Sequence, residues 1–219
     1  WHPSGLSLTY AYHHRLNPVL ESYDLKKRKR TRKTLYQLER LTSMEYSSDG
    51  KKMIMTAFNR GKSDLYLYHV PGNNHEQLTK DIWDETSACF ADGGKTVVFS
   101  SNRNSDTLRS EDALTEMSSN NDLFLYDLES RSPVMRRLTN TPQVDEIKPR
   151  AFKDKHYAFL SNENGYYNRS VATIDSTISS IDTAIHYRYY TSITKMSDQH
   201  RHTMDHYVLS APSLDFMIY

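Results

Sequence analysis

The chain has 219 residues, with 28 Lys and Arg against 27 Asp and Glu and a formal net charge of +1. So even a balance excludes a global electrostatic pull toward nucleic acid or an anionic membrane. A mean hydropathy of −0.75, with no long apolar run, excludes a membrane-spanning helix.

Taken in chain order, the first predicted strand runs from Leu6 to Tyr12 and the next from Val19 to Leu25. The basic run Lys26 to Lys33, interrupted only by Thr31, reads as a solvated hairpin tip, with Tyr36 to Thr42 returning. A second unit places strands at Lys52 to Phe58, Asp64 to Val70 and Glu76 to Thr79, with the turn Pro71-Gly72-Asn73-Asn74 between the last two. A third unit begins near Trp83, a fourth near Glu146, and a fifth near His202, where Asp205 to Ser210 reads as a strand.

The units repeat. Ser48-Asp49-Gly50-Lys51, followed by Lys52 to Ala57, matches Ala91-Asp92-Gly93-Gly94 followed by Lys95 to Ser100. Asp64-Leu65-Tyr66-Leu67-Tyr68 matches Asp122-Leu123-Phe124-Leu125-Tyr126, and a closing Leu-Thr recurs at Leu41-Thr42, Leu78-Thr79 and Leu138-Thr139. A repeat of about 40 residues with four short strands marks a propeller blade. Within Asp64 to Tyr68 the alternation sends the Leu side chains to one neighbouring sheet and the Tyr rings to the other. The expected fold is all-β: a propeller segment of four blades, 1–42, 43–82, 83–145 and 146–201, with a partial fifth over 202–219. The third unit carries a polar insertion, Asn104 to Asn120, which costs little at a hairpin and is a common place for function.

These units resemble the TolB-like, or WD40-like PD40, propeller repeat. The matching pieces are Tyr46 to Lys51, Phe99-Ser100-Ser101-Asn102-Arg103, Asp122-Leu123-Phe124 and Arg137-Leu138-Thr139. The fourth unit departs: Phe152-Lys153-Asp154-Lys155 has no glycine, and Arg169 to Asp175 replaces the Leu-Tyr strand. The resemblance implies a propeller of the periplasm or outer membrane, part of a larger envelope protein of the kind found in Bacteroidota, with further residues expected to complete the ring.

Candidate chemistry is sparse. His75-Glu76-Gln77-Leu78-Thr79 nearly spells a zinc-peptidase motif, but Thr79 stands where the second histidine is required and the segment reads as a strand. His200, His202 and His206 form a denser group without a carboxylate at ligand spacing, so packing or solvated histidines are the favoured reading and no metal is assigned. Asp84-Glu85 and Asp145-Glu146 recur at equivalent places, which suits strand capping better than an acid/base pair. Cys89, in the alternation Ala88-Cys89-Phe90, reads as a buried inert thiol. Asn168-Arg169-Ser170 is a sequon, meaningful only in a eukaryotic secretory setting. No Gly-x-Ser-x-Gly elbow or glycine-rich phosphate loop occurs.

The expectation is a non-enzymatic scaffold that binds a protein partner, without cofactor or nucleic acid. Its candidate contact residues are Asp106, Arg109, Glu111 and Asp112 in the insertion, and Lys29 and Arg30 in the basic run. The rival is an accessory or gating propeller of an envelope peptidase whose catalytic residues lie elsewhere.

Overall fold

The turn at Ser48 to Lys51 closes because Gly50 sits at φ +69°, where an added Cβ would run into the His2 ring. Asp49 accepts the Lys51 amide at 3.0 Å, and Ser47 Oγ accepts the Lys52 amide at 3.0 Å. The hydroxyl of Ser47 also holds the Asp49 carboxyl below its usual range. The matching turn of the next unit is a single 3-10 turn, Asp92–Gly94, with Gly93 at φ +67°. In both places glycine supplies the left-handed residue that lets the chain reverse.

The computed structural model describes residues 1–108 and 119–207. Among these, strands form four antiparallel sheets, each a meander in chain order. The first holds β1 (Ser7–His14), β2 (Asn17–Asp24) and β3 (Lys29–Thr34). The second holds β4 (Arg40–Tyr46), β5 (Lys52–Asn59), β6 (Lys62–His69) and β7 (Asn74–Gln77). The third holds β8 (Glu85–Ala91), β9 (Thr96–Ser101), β10 (Asp122–Asp127) and β11 (Arg136–Arg137). The fourth holds β12 (Glu146–Lys153), β13 (His156–Ser161), β14 (Asn168–Ile181) and β15 (Ile185–Lys195). The described residues are all-β, and their sheets do not close into a ring. No helix of the described residues is long and apolar enough to cross a membrane.

Each core lies between two sheets. Leu20, Leu35 and Leu38 meet Met53, Met55, Ala57, Tyr66 and Tyr68 between the first and second. Ile54, Leu65, Leu67 and Leu78 meet Val97, Phe99, Phe124 and Tyr126 between the second and third. Val98, Leu123 and Leu125 meet Tyr157, Phe159, Ala172 and Ile174 between the third and fourth. Consecutive residues of one strand thus serve opposite cores: Leu65 and Leu67 face one neighbour, Tyr66 and Tyr68 the other. A strand's twofold side-chain period requires this when both faces are covered.

Two local expectations are corrected, and a departure from the repeat is resolved. The first sheet has three strands, because Arg40 to Tyr46 pairs with β5, starting at Arg40 opposite Phe58, instead of returning to the first unit. The basic run is only partly a hairpin tip: Lys29 to Lys33 pairs with β2 as strand β3, and the reversal lies just before it. The fourth unit builds its hairpin despite lacking the Leu-Tyr strand, since β14 pairs with β13 from Asn168 to Thr173 and continues beyond it. Residues 202–207 carry no strand, and the remainder of the expected fifth unit lies outside the described residues.

Candidate interaction surface

One rim of the array is held by a latch that the repeat builds twice. The Ser63 amide donates to Asp84 Oδ1 of the next sheet at 2.8 Å, and the Asn121 amide donates to Asp145 Oδ1 at 2.9 Å. Asp84 and Asp145 in turn donate their own amides to Asn102 and Asn162. Thr79 and Thr139 accept the amides of Leu65 and Leu123 at 2.9 and 2.8 Å. The acidic pairs therefore cap strands and join sheets. Such bonds to main-chain donors fix one blade against the next better than side-chain packing alone.

The second residue of each pair is buried, and the two differ. Glu85 accepts the Thr79 hydroxyl at 2.9 Å and the Arg103 guanidinium at 2.6 Å; Arg103 also reaches Asp81 at 2.9 Å and lies against Trp83. Burial pushes the Glu85 carboxyl up, and Arg103 pulls it back. Among the described residues Glu146 has no such cationic partner, because Glu163 stands where the preceding repeat has Arg103. Burial pushes the Glu146 carboxyl up to about 7, opposed by the hydroxyl of Thr139. Sequence spacing pairs Glu85 with Glu146 but does not reveal that, among the described residues, only Glu85 meets a cation. Aligning Ser101-Asn102-Arg103 with Ser161-Asn162-Glu163 is the signal that would have found it.

Along the inner strands, Glu45 of β4 accepts the Phe90 amide of β8 at 3.3 Å and the Arg150 guanidinium of β12 at 3.1 Å. At the outer edge Arg131 grips Glu76 with two bonds, 3.0 and 2.9 Å, and holds that carboxyl down to about 2. The second and third sheets are therefore tied at both margins, and the fourth joins them at the inner one. A groove of about 550 Å³ opens beside the latch rim, lined by Asn59, Arg60, Lys62, Asp64, Lys80 and Asp81. Burial pushes the Asp64 carboxyl there up to about 6.

The candidate contact residues fall in two places. Asp106 is half exposed and bonded to Arg137 at 2.9 Å, while the first residues of the insertion fold back on the third sheet through Leu108 to Pro133 and Met135 to Asp106. Arg109, Glu111 and Asp112 lie outside the described residues. Lys29 and Arg30 are exposed on β3 at the edge of the first sheet. Arg30 and Arg32 flank the buried Glu21 carboxylate, which also accepts Tyr10 Oη at 2.5 Å. That hydroxyl, ahead of Arg32, holds Glu21 below its usual range.

The histidines do not converge. His206 is buried and bonded to the Lys148 carbonyl at 2.6 Å, and burial lowers its proton affinity, to about 4. His202 accepts the Tyr167 amide at 3.1 Å, and His200 packs on the Tyr166 ring. His75 lies on β7 against Tyr66. Among the described residues no group of three His, Cys, Asp or Glu side chains is placed to hold a metal. Cys89 is buried beside the Ala151 amide, and burial pushes its thiol up. Asn168 is buried, its amide donating to three oxygens, so the sequon is closed to a glycan in the folded chain.

No protein-family model matches the sequence, and no curated protein does. Solved structures do. TolB from Acinetobacter baumannii shares 18% identity over 79% of this chain at a TM-score of 0.59, and this chain spans 39% of that protein. A protein assigned as TolB from Agrobacterium tumefaciens shares 14% identity over 90% of this chain, with 75% of its own length covered and a TM-score of 0.58. The tricorn protease shares 10% identity over 97% of this chain but 19% of its own, at a TM-score of 0.53. At such identities the shared property is the architecture, and the fold of this chain is that of a TolB-like β-propeller.

Proposed function

We propose that the chain is a non-enzymatic, protein-binding scaffold of the bacterial cell envelope, periplasmic or associated with the outer membrane. The observation that carries this reading is the pairing of a twice-built latch with an insertion whose two described ends adjoin it. Arg103 closes the buried network, residues 104–108 run back along the third sheet, and Asn121, at the other end of the insertion Asn104 to Asn120, re-enters the latch. A loop held at both ends by a stiff frame can vary its contacts without disturbing the core. The blades follow the repeat, with the first boundary moved from 42 to 39 because β4 (Arg40–Tyr46) belongs to the second sheet: 1–39, 40–82, 83–145 and 146–201, with 202–219 opening a fifth. The likeness to TolB structures supports the same reading at the level of fold.

Affinity capture from an envelope fraction tests it. The chain should retain a partner that is lost when Asp106, Arg109, Glu111 and Asp112 are replaced together by Ala, with the melting temperature changed little. Retention of the same partner by the variant, or capture of none by either protein, would overturn it. A second reading, an accessory or gating propeller of a larger peptidase, draws on the likeness to the tricorn protease across 97% of this chain. It predicts that the chain associates with a peptidase and alters its cleavage of long but not short peptides.

A further inference from the structure

Each sheet ends on an outer strand, and three of the four are protected against pairing with another chain. β3 carries Lys29, Arg30, Arg32 and Lys33, β7 has 4 residues and β11 has 2. Charge and shortness are the usual ways of blunting an exposed edge. β15 has neither protection. It runs for 11 residues without a proline, it is last in its sheet among the described residues, and its only formal charges are Arg188 and Lys195. The register shift in its hairpin falls between Ile178 and Ser180, so the extra residue sits on β14 and leaves β15 regular.

One face of this hairpin is apolar and exposed. Ile185, Tyr187, Tyr189 and Ile193 alternate along β15, and Ile178 of β14 stands opposite Tyr187. All five are between 46% and 55% exposed. The free edge also has a defined phase. The Met196 amide donates to the Arg169 carbonyl while Lys195 stands opposite Ser170. In an antiparallel ladder this directs the main-chain groups of Lys195, and by alternation those of Ile193, Thr191, Tyr189 and Tyr187, away from β14.

We propose that β15 is a self-association edge, pairing antiparallel with β15 of a second copy about a twofold axis at Tyr190. Tyr190 is the midpoint of Ile185–Lys195, so this register overlaps the whole strand. It sets Tyr187 against Ile193 and Tyr189 against Thr191, joining the two apolar faces into one. It also sets Arg188 against Ser192, His186 against Thr194 and Lys195 against Ile185, so no charge meets its like. Shifting the centre to Arg188 would oppose two guanidinium groups, which is unfavourable. The twofold axis makes the contact isologous and closes it at a dimer. This goes beyond the scaffold reading and stands independently of it.

Sedimentation equilibrium of the full chain and disulfide trapping test the proposal together. Tyr190 meets its own copy at a pair that is not hydrogen-bonded, where the Cα separation of about 4.5 Å is within disulfide reach. Tyr190→Cys should therefore cross-link under mild oxidation at least about tenfold faster than Arg188→Cys, whose partner across the seam is Ser192. Cys89 is buried and does not compete. Thr191→Pro removes an amide from the free edge and none from the β14 ladder, so it should raise the dimer dissociation constant more than about tenfold with the fold intact. Equal cross-linking of the two cysteine variants would overturn the proposal. A chain that stays monomeric at all concentrations would also overturn it, and that is the result expected if a strand of another protein occupies the edge.

Discussion

Glu45 and Arg150 meet at 3.1 Å although 105 residues separate them in the chain. Their pairing links the inner strands of the second and fourth sheets, and the same carboxylate takes the Phe90 amide of the third. Burial raises the Glu45 carboxyl and the Arg150 guanidinium opposes the rise. Glu45→Ala leaves a half-buried guanidinium without its anion and should cost about 1–3 kcal/mol in urea unfolding. Arg150→Leu should cost a similar amount, and the double variant should cost less than the sum, as coupled neighbours do.

Arg103 is the more severe test. Its side chain is fully buried with Asp81 and Glu85, and it stacks against Trp83. Arg103→Met strands two buried carboxylates and should cost about 3–5 kcal/mol. Adding Glu85→Gln should recover part of that loss, read as a rise in thermal midpoint relative to the single variant.

Glu146 sets a pH dependence of defined sign. Its folded carboxyl titrates at about 7, above the ordinary value of 4.5. Between those values the native state keeps a proton that the unfolded chain has released, so stability falls as pH rises through that window and is flat above it. Glu146→Gln should remove this slope and be more stable than the parent at pH 8 by roughly 1–3 kcal/mol. The difference between the two stability curves from pH 4 to 8 is the measurement.

Cys89 offers a report on opening of the core between the third and fourth sheets. Its thiol is buried and its ionisation suppressed. Labelling by a thiol reagent should therefore be slower than in urea-unfolded chain by about a thousandfold or more, and should track the opening equilibrium.

Much of this was legible in the sequence, and the reasons are local. The alternation in Asp64 to Tyr68 predicts which side chain faces which neighbour, and the cores bear it out. The Leu-Thr marker was legible only in part. Thr79 and Thr139 both accept a strand amide, whereas Thr42 lies inside β4 and bonds to Thr56. Leu35 and Leu38 draw the preceding segment into the core without a strand, so β4 starts later and belongs to the second sheet. The long hairpin of the fourth sheet was not legible from the repeat, because Asn168 to Ile181 is rich in Ser and Thr and lacks the Leu-Tyr marker. The partner of Arg103 was hidden for another reason: Glu85 meets Arg103 only when β8 pairs with β9, with Glu85 opposite Ser101, and Asp81 joins them from the linker before β8.

The division of neighbouring residues between opposite cores has a consequence for how such a chain can change in length. Excising an interior unit would strip two seams of their apolar partners at a stroke, whereas trimming a terminal one uncovers a single seam. A graft between two existing sheets would therefore have to match both flanks simultaneously.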